Sequence, residues 1–418
     1  MNRKMLGFRP FYGWVVVGAC FACCATYGTF YTFGVFFKPL QESFGWSYTL
    51  TSSVQSLHIL VYVLSSFLIG YATDRFSPKG PLLAGALCLG LGYLLCSRIQ
   101  SLLQLYVFYS VASIGAGIVW SLPLSTVQRW FIDKRGLALG ITLSGIGIGT
   151  FFWTPLANHF IYSAGWRTAY VAMGAVTFAL LLVASCFIST PERKNLAPYR
   201  LARGPSAQEH PDPPGTRDVD LRQALRSTQL WLICLLQFLF NFGLFLVFVH
   251  LVPHAILIGI DPLAAAGAVA LIGASSVFGK VITPTLVENR LHARWEKGLA
   301  LCAFGTALLL FSLTQISALW TLYLFVTVYG YFYGSWIPMV VALTGRSFGT
   351  RSLGSILGVT QIGLIGGLLG PLAGGLICDV TGGYAVAFLV CGASSLLAGF
   401  TAFALRDSSP SPSRHPAP

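Results

Sequence analysis

Residues 267–287 read GAVALIGASSVFGKVITPTLV, twenty-one positions that are apolar, small or hydroxyl-bearing except for one formal charge, Lys280. A helix rises about 1.5 Å per residue, so a run of this length crosses a hydrocarbon core of about 30 Å. An ammonium held at that depth costs roughly 2.5–3.5 kcal/mol, and residues that bear such a cost usually face a wet interior and act there. The stretch therefore predicts a bilayer-spanning helix with a functional cation near its middle.

The remaining sequence is of the same kind. The chain has 418 residues, 55% hydrophobic and 9% charged, with a mean hydropathy of +0.72. That is more apolar surface than a water-soluble interior can bury. Twelve spans are expected, at 13–37, 50–72, 81–98, 102–128, 137–162, 168–189, 229–258, 263–287, 298–315, 319–344, 353–378 and 384–405. None alternates apolar and polar residues as a barrel strand would. The forty-five glycines suit helices packed backbone to backbone. The class is an all-α integral membrane protein.

The net charge of +13 sorts by loop. Of the twenty-six Lys and Arg, twenty-two lie on the side of the termini and the central loop. Lys38, Arg98 and Arg167 fall on the other side, and Lys280 is left within the membrane. The positive-inside bias then makes both termini and the central loop cytoplasmic. The basic excess is topological, so a nucleic-acid partner is not expected. Ten cysteines, among them Cys20, Cys23, Cys24, Cys88 and Cys302, fall mostly within spans with no zinc-type spacing. They are expected as buried free thiols, and no metal or cofactor is expected. The first apolar run is too long for a signal-peptide core and should stay uncleaved.

A Pro-, Arg- and acid-rich linker at 190–228 separates spans 1–189 from spans 229–405, and a tail at 406–418 lacks the means to bury apolar surface. Within the linker, DLRQALRS reads as a short amphipathic helix on the inner surface. The halves repeat. RWFIDKRG before span five parallels RSFGTRSLG before span eleven, with Arg129 and Arg346, Phe131 and Phe348, and Lys134 and Arg351 each 217 residues apart. AGWRTAYVAMGA likewise parallels TGGYAVAFLVCGA. Two six-span units flanking a cavity form a plan in which the site lies near the bilayer midplane and the halves rock.

Gly70-Tyr-Ala-Thr-Asp74-Arg75-Phe-Ser-Pro-Lys79-Gly80 resembles the GxxxDRxGxKx-like loop of the major facilitator superfamily. The resemblance implies that fold, with Asp74, Arg75 and Lys79 as conformational gating residues whose contacts form in one state and release in the other. The counterpart after span eight, around Glu288 and Arg290, is degenerate. A narrower resemblance is to bacterial monocarboxylate transporters and the related oxalate/formate antiporters. It is carried by Phe11-Tyr-Gly-Trp14, by Tyr31-Thr-Phe-Gly-Val-Phe-Phe37 continuing to Trp46, and by Arg129 through Gly149.

This branch implies secondary transport of a small monocarboxylate of the lactate, pyruvate, acetate or formate type, coupled to protons and working as a monomer in a bacterial inner membrane. Exchange of the oxalate/formate type is the alternative, and export of other amphiphilic compounds a further one. The resemblance also implies a substrate-binding cation in span eight, commonly Arg, which here is Lys280. Arg offers a planar fork, whereas Lys is a point charge that can shed its proton when desolvated. Ser276, Lys280 and Thr283 share one helical face beside Pro284.

Span eleven carries no formal charge, so a second carboxylate would go unpaired, which favours a monocarboxylate. Further binding candidates are Tyr331, Tyr27, Tyr31, Asn241, Gln361 and His58, with Gln237, Tyr329, Tyr333 and Trp336 also noted. Proton-coupling candidates are Lys280, His254 and Asp261; His250, one turn before His254 near the outer end of span seven, and Asp379, at the end of span eleven, are also noted. An enzyme is not expected, since GxSxG, HExxH and Walker patterns are missing from the sequence.

Overall fold

The computed structural model describes residues 11–73, 78–131, 135–197, 199, 219–290, 294–349 and 353–405. Span one is three pieces: α1 (Tyr12–Tyr27), a 3₁₀ turn (Gly28–Thr32) and α2 (Phe33–Phe44). There follow α3 (Tyr48–Thr73), α4 (Lys79–Cys96), α5 (Leu102–Trp130), α6 (Arg135–Ala164) and α7 (Trp166–Phe187). In the linker α8 (Leu221–Leu225) is a short helix whose first amide is accepted by the Asp220 carboxylate. The second half has α9 (Thr228–Leu257), α10 (Pro262–Arg290), α11 (Trp295–Leu313) and α12 (Leu319–Phe348). Span eleven is again broken, into α13 (Leu353–Thr360), a 3₁₀ turn (Gln361–Leu364) and α14 (Ile365–Thr381), and α15 (Ala385–Ala404) ends the fold.

Eleven of the described spans are long and apolar enough to cross a membrane, and α3 completes twelve transmembrane helices. Span one runs to Phe44 rather than residue 37. Lys38 pairs with Glu42 one turn on, at 3.8 Å, and Pro39 is accommodated within the helix. Asp74 and Arg75 lie outside the described residues, as do most of the linker and the tail.

Each bundle is held by its own helix pairs, α4 on α5 and α7 in the first, α9 on α14 and α11 on α15 in the second. The bundles meet along α3 on α14, α6 on α10, and α2 on α9. The repeat is visible in the backbone. Gly165 and Gly382, also 217 residues apart, both take positive φ (87° and 73°) between the last two helices of their bundles. Positive φ of this kind is open to glycine without the strain a Cβ would bring, and at Gly382 it forms the left-handed cap that ends α14. The linker is tied symmetrically as well. Tyr199 N–H donates to the Trp130 carbonyl at 2.8 Å, and Val219 N–H to the Phe348 carbonyl at 3.0 Å.

Where α6 crosses α10, Gly147 and Gly273 put backbone against backbone. A Cβ at Gly147 would sit 2.5 Å from the Gly273 carbonyl oxygen, and one at Gly273 2.6 Å from that of Gly147. The crossing lies near the middle of both helices, so small residues here set how closely the bundles approach.

Candidate functional site

A cavity lies between the bundles near their midplane, with about 680 Å³ of space free of protein atoms, part of it open to solvent. Helix direction defines its ends. α12 runs away from the far face toward the face that carries the termini and linker, and its lining residues run from Tyr333 through Trp336 to Val341. Tyr31 and Tyr333 close the far end, joined across the bundles by a hydroxyl–hydroxyl hydrogen bond of 3.0 Å that Tyr333 donates.

Lys280 stands beside that closed end. Its Nζ donates to Ser276 Oγ at 3.1 Å, and the ring of Tyr333 lies 5.7 Å from the ammonium. Ser276 Oγ in turn donates to the Gly273 carbonyl at 2.7 Å, at the α6–α10 crossing. Among the described residues no carboxylate comes within ion-pair distance of Lys280, whose side chain is 6% exposed. An ammonium has three N–H donors, so two remain for an incoming acceptor. The cation is not itself part of the cavity lining; Tyr333, which is, forms the contact between them.

Of the other expected residues, Tyr27, Tyr31, Asn241 and Gln361 line the cavity. Tyr331 does not. Its hydroxyl accepts from Thr283 Oγ1 at 2.8 Å, between α10 and α12. His58 lies inside the first bundle, between the rings of Phe30 and Tyr109, with Nδ1 on Ser113 Oγ. His254 packs on Tyr384 and Phe388, and neither ring nitrogen has a hydrogen-bond partner among the described residues. Asp261 is exposed and caps α10, accepting the amides of Leu263 and Ala264. Lys79 is the exposed first residue of α4.

Lining residues that the sequence did not single out include Tyr62, Trp120, Phe240 and Phe245. Helices apolar all round carry no periodic signal to say which ring faces inward.

The far end is latched by two groups. Asp379, at the end of α14, accepts the amides of Tyr48 and Thr49 at 2.9 and 2.8 Å and the Thr49 hydroxyl at 2.5 Å. It therefore caps the first turn of α3 in the opposite bundle, where a carboxylate is favoured. One turn deeper, His250 Nε2 lies 2.9 Å from the Pro371 carbonyl and 3.3 Å from Ser52 Oγ, with Nδ1 3.2 Å from the Tyr384 hydroxyl. The Tyr384 phenol carries its proton at neutral pH and can donate it. The carbonyl only accepts, which assigns the proton to Nε2 and leaves Nδ1 to accept.

Asp379→Ala should release the cap, worth about 0.5–2 kcal/mol, and raise the population open at the far face roughly two- to thirtyfold. Faster amide hydrogen exchange over residues 48–52 would register the change, and unaltered exchange would refute the latch.

Comparisons with known proteins agree with this architecture. The profile of the Major Facilitator Superfamily matches residues 19–364. Monocarboxylate transporter 13 of Rattus norvegicus is 30% identical over 400 residues, covering 93% of this chain and 87% of that protein. The oxalate:formate antiporter of Oxalobacter formigenes is 27% identical over 259 residues, covering 62% and 58%. Among solved structures, a bacterial homolog of the human lysosomal transporter Spinster, inward-facing and unoccupied, superposes with a TM-score of 0.73 at 16% identity, covering 97% of this chain and all of that one. With twelve spans in two repeated bundles about a central cavity, the chain belongs to the Major Facilitator Superfamily.

Proposed function

We propose that this protein is a secondary transporter that carries one small monocarboxylate anion together with a proton, by alternating access of its two bundles. The carrying observation is Lys280, a membrane-buried ammonium with one hydrogen bond and no described carboxylate near it, beside a cavity at the bundle interface. An anion reaching Nζ replaces the missing counter-charge, and pairing a buried charge is worth several kcal/mol. The Tyr31–Tyr333 bond links the bundles next to that point, so an anion that moves the Tyr333 ring also acts on the contact that closes the far end. Neutralisation of the cation then permits the empty and loaded forms to reorient differently.

The names borne by the relatives support a carboxylate. The lining carries no formal charge, so with Lys280 beside it one cation matches one carboxylate, of the kind found in lactate, pyruvate, acetate or formate. Lys280 is the preferred proton carrier: it can load as ammonium with the anion and return as the free amine. His254, without polar partners, is the second candidate, and Asp261, exposed and committed to a helix cap, the third. On this reading the excess of Lys and Arg on the side of the termini and linker supports a cytoplasmic position for them, with the protein in a bacterial inner membrane.

Exchange of one anion for another is the second reading, favoured by the similarity to the antiporter. Uptake into proteoliposomes after a pH jump separates the two. An inward proton gradient should accelerate uptake of labelled anion several-fold. Uptake indifferent to that gradient but accelerated by internal anion would rule out symport.

A further inference from the structure

The cavity wall says more about the anion than its charge does. Eight of the eighteen lining residues are aromatic, and none is charged. They form two walls contributed by opposite bundles. Tyr27, Tyr62 and Trp120 make one, with Tyr27 5.8 Å from Tyr62 and 5.2 Å from Trp120 between ring centroids. Phe240 and Trp336 make the other, stacked at 3.6 Å and 4°. The Trp336 indole N–H is already taken by Gln237 Oε1 at 2.6 Å, so this wall offers ring surface rather than a donor.

The ammonium lies at the closed end, by Tyr333, and the lining of α12 continues eight residues toward the mouth, to Val341. That is about 12 Å of helix axis along which the wall continues from the cation toward the mouth, the end-to-end length of a carboxylate plus one ring. An acid of one to three carbons that reached Lys280 would leave both walls wet and unused.

We infer that the transported monocarboxylate bears a planar aromatic tail, which lies between the two ring walls while its carboxylate meets Lys280. The inference rests on the carboxylate reading above and refines it. Rings prefer offset or edge contacts with other rings, and such contacts add to the ordinary gain from burying apolar area. Gln361, on the lining and without a described hydrogen-bond partner, is placed to meet a hydroxyl, keto or ring N–H group on such a tail. Among the described residues no acid lines the cavity, which disfavours tails bearing a primary ammonium.

A matched set of acids tests this on the intact protein in proteoliposomes. Lactate, 3-phenyllactate and 3-cyclohexyllactate share the carboxylate and hydroxyl and differ only in the tail. Competition against labelled phenyllactate should give phenyllactate at least about a tenfold lower inhibition constant than lactate, with the cyclohexyl acid in between. Trp120→Leu should bring the lactate-to-phenyllactate ratio of inhibition constants down toward one. Phenyllactate no better than lactate would overturn the aromatic tail and leave carboxylate transport standing. Equal competition by the cyclohexyl and phenyl acids would overturn planarity. If labelled phenyllactate and labelled lactate both fail to enter, the transport reading itself is what has failed.

Discussion

Lys280→Ala is expected to reduce carboxylate uptake by at least about thirtyfold while the protein remains inserted and monodisperse. Removing one partner of a desolvated charge pair costs roughly 2–5 kcal/mol, and about 1.4 kcal/mol is tenfold in affinity. The loss should be specific. Among the described residues the ammonium donates to Ser276 alone, so the fold depends little on it, and its removal relieves an insertion penalty. Lys280→Met, which keeps the length and apolar stem, should fail as completely as alanine; that result would exclude a packing defect as the cause. Uptake at wild-type rates in either variant would remove the ligand role and, with it, the proposed function.

Gly273→Val should nearly abolish cycling by a different route. The Cβ alone would meet the Gly147 carbonyl at 2.6 Å and the Phe151 amide nitrogen and Thr150 Cβ at 2.9 Å each. These are backbone or β-carbon atoms that cannot swing aside, unlike the end of a long side chain. Overpacking of this kind costs about 1–3 kcal/mol, and here it acts at the fulcrum on which the bundles must pivot. The same crossing supports Ser276, whose hydroxyl bonds the Gly273 carbonyl and accepts from Lys280. Uptake should therefore fall more than tenfold, with Gly273→Ala intermediate and anion binding weakened in parallel. Wild-type uptake by the valine variant would mean that this contact is not kept during transport.

The fold was legible because an apolar run long enough to cross a bilayer needs no period to be recognised. Most expected span ends fall within a few residues of the helices; span one is the exception, its last helix running on through Lys38 and Glu42 to Phe44. Lys280 was legible for the opposite reason, as the single formal charge in its run. What the sequence concealed is facing. Tyr331 and Tyr333 are two residues apart, so they point to nearly opposite sides of α12. The structure puts Tyr333 on the cavity and Tyr331 against Thr283. Nor does any local pattern tie Asp379 to Tyr48 and Thr49, some 330 residues away in sequence. Contacts between bundles arise from the quasi-twofold packing of the repeats, and only three dimensions bring their partners together.

A lone fixed cation also determines how the cycle feels voltage. Moving one elementary charge through 100 mV is worth about 2.3 kcal/mol, and reorientation shifts the field across Lys280 even if the side chain itself stays put. If the ammonium keeps its proton after the anion leaves, the return step of the empty protein carries current. If the proton departs with the anion, both legs are electrically silent, and a membrane potential neither drives nor opposes accumulation.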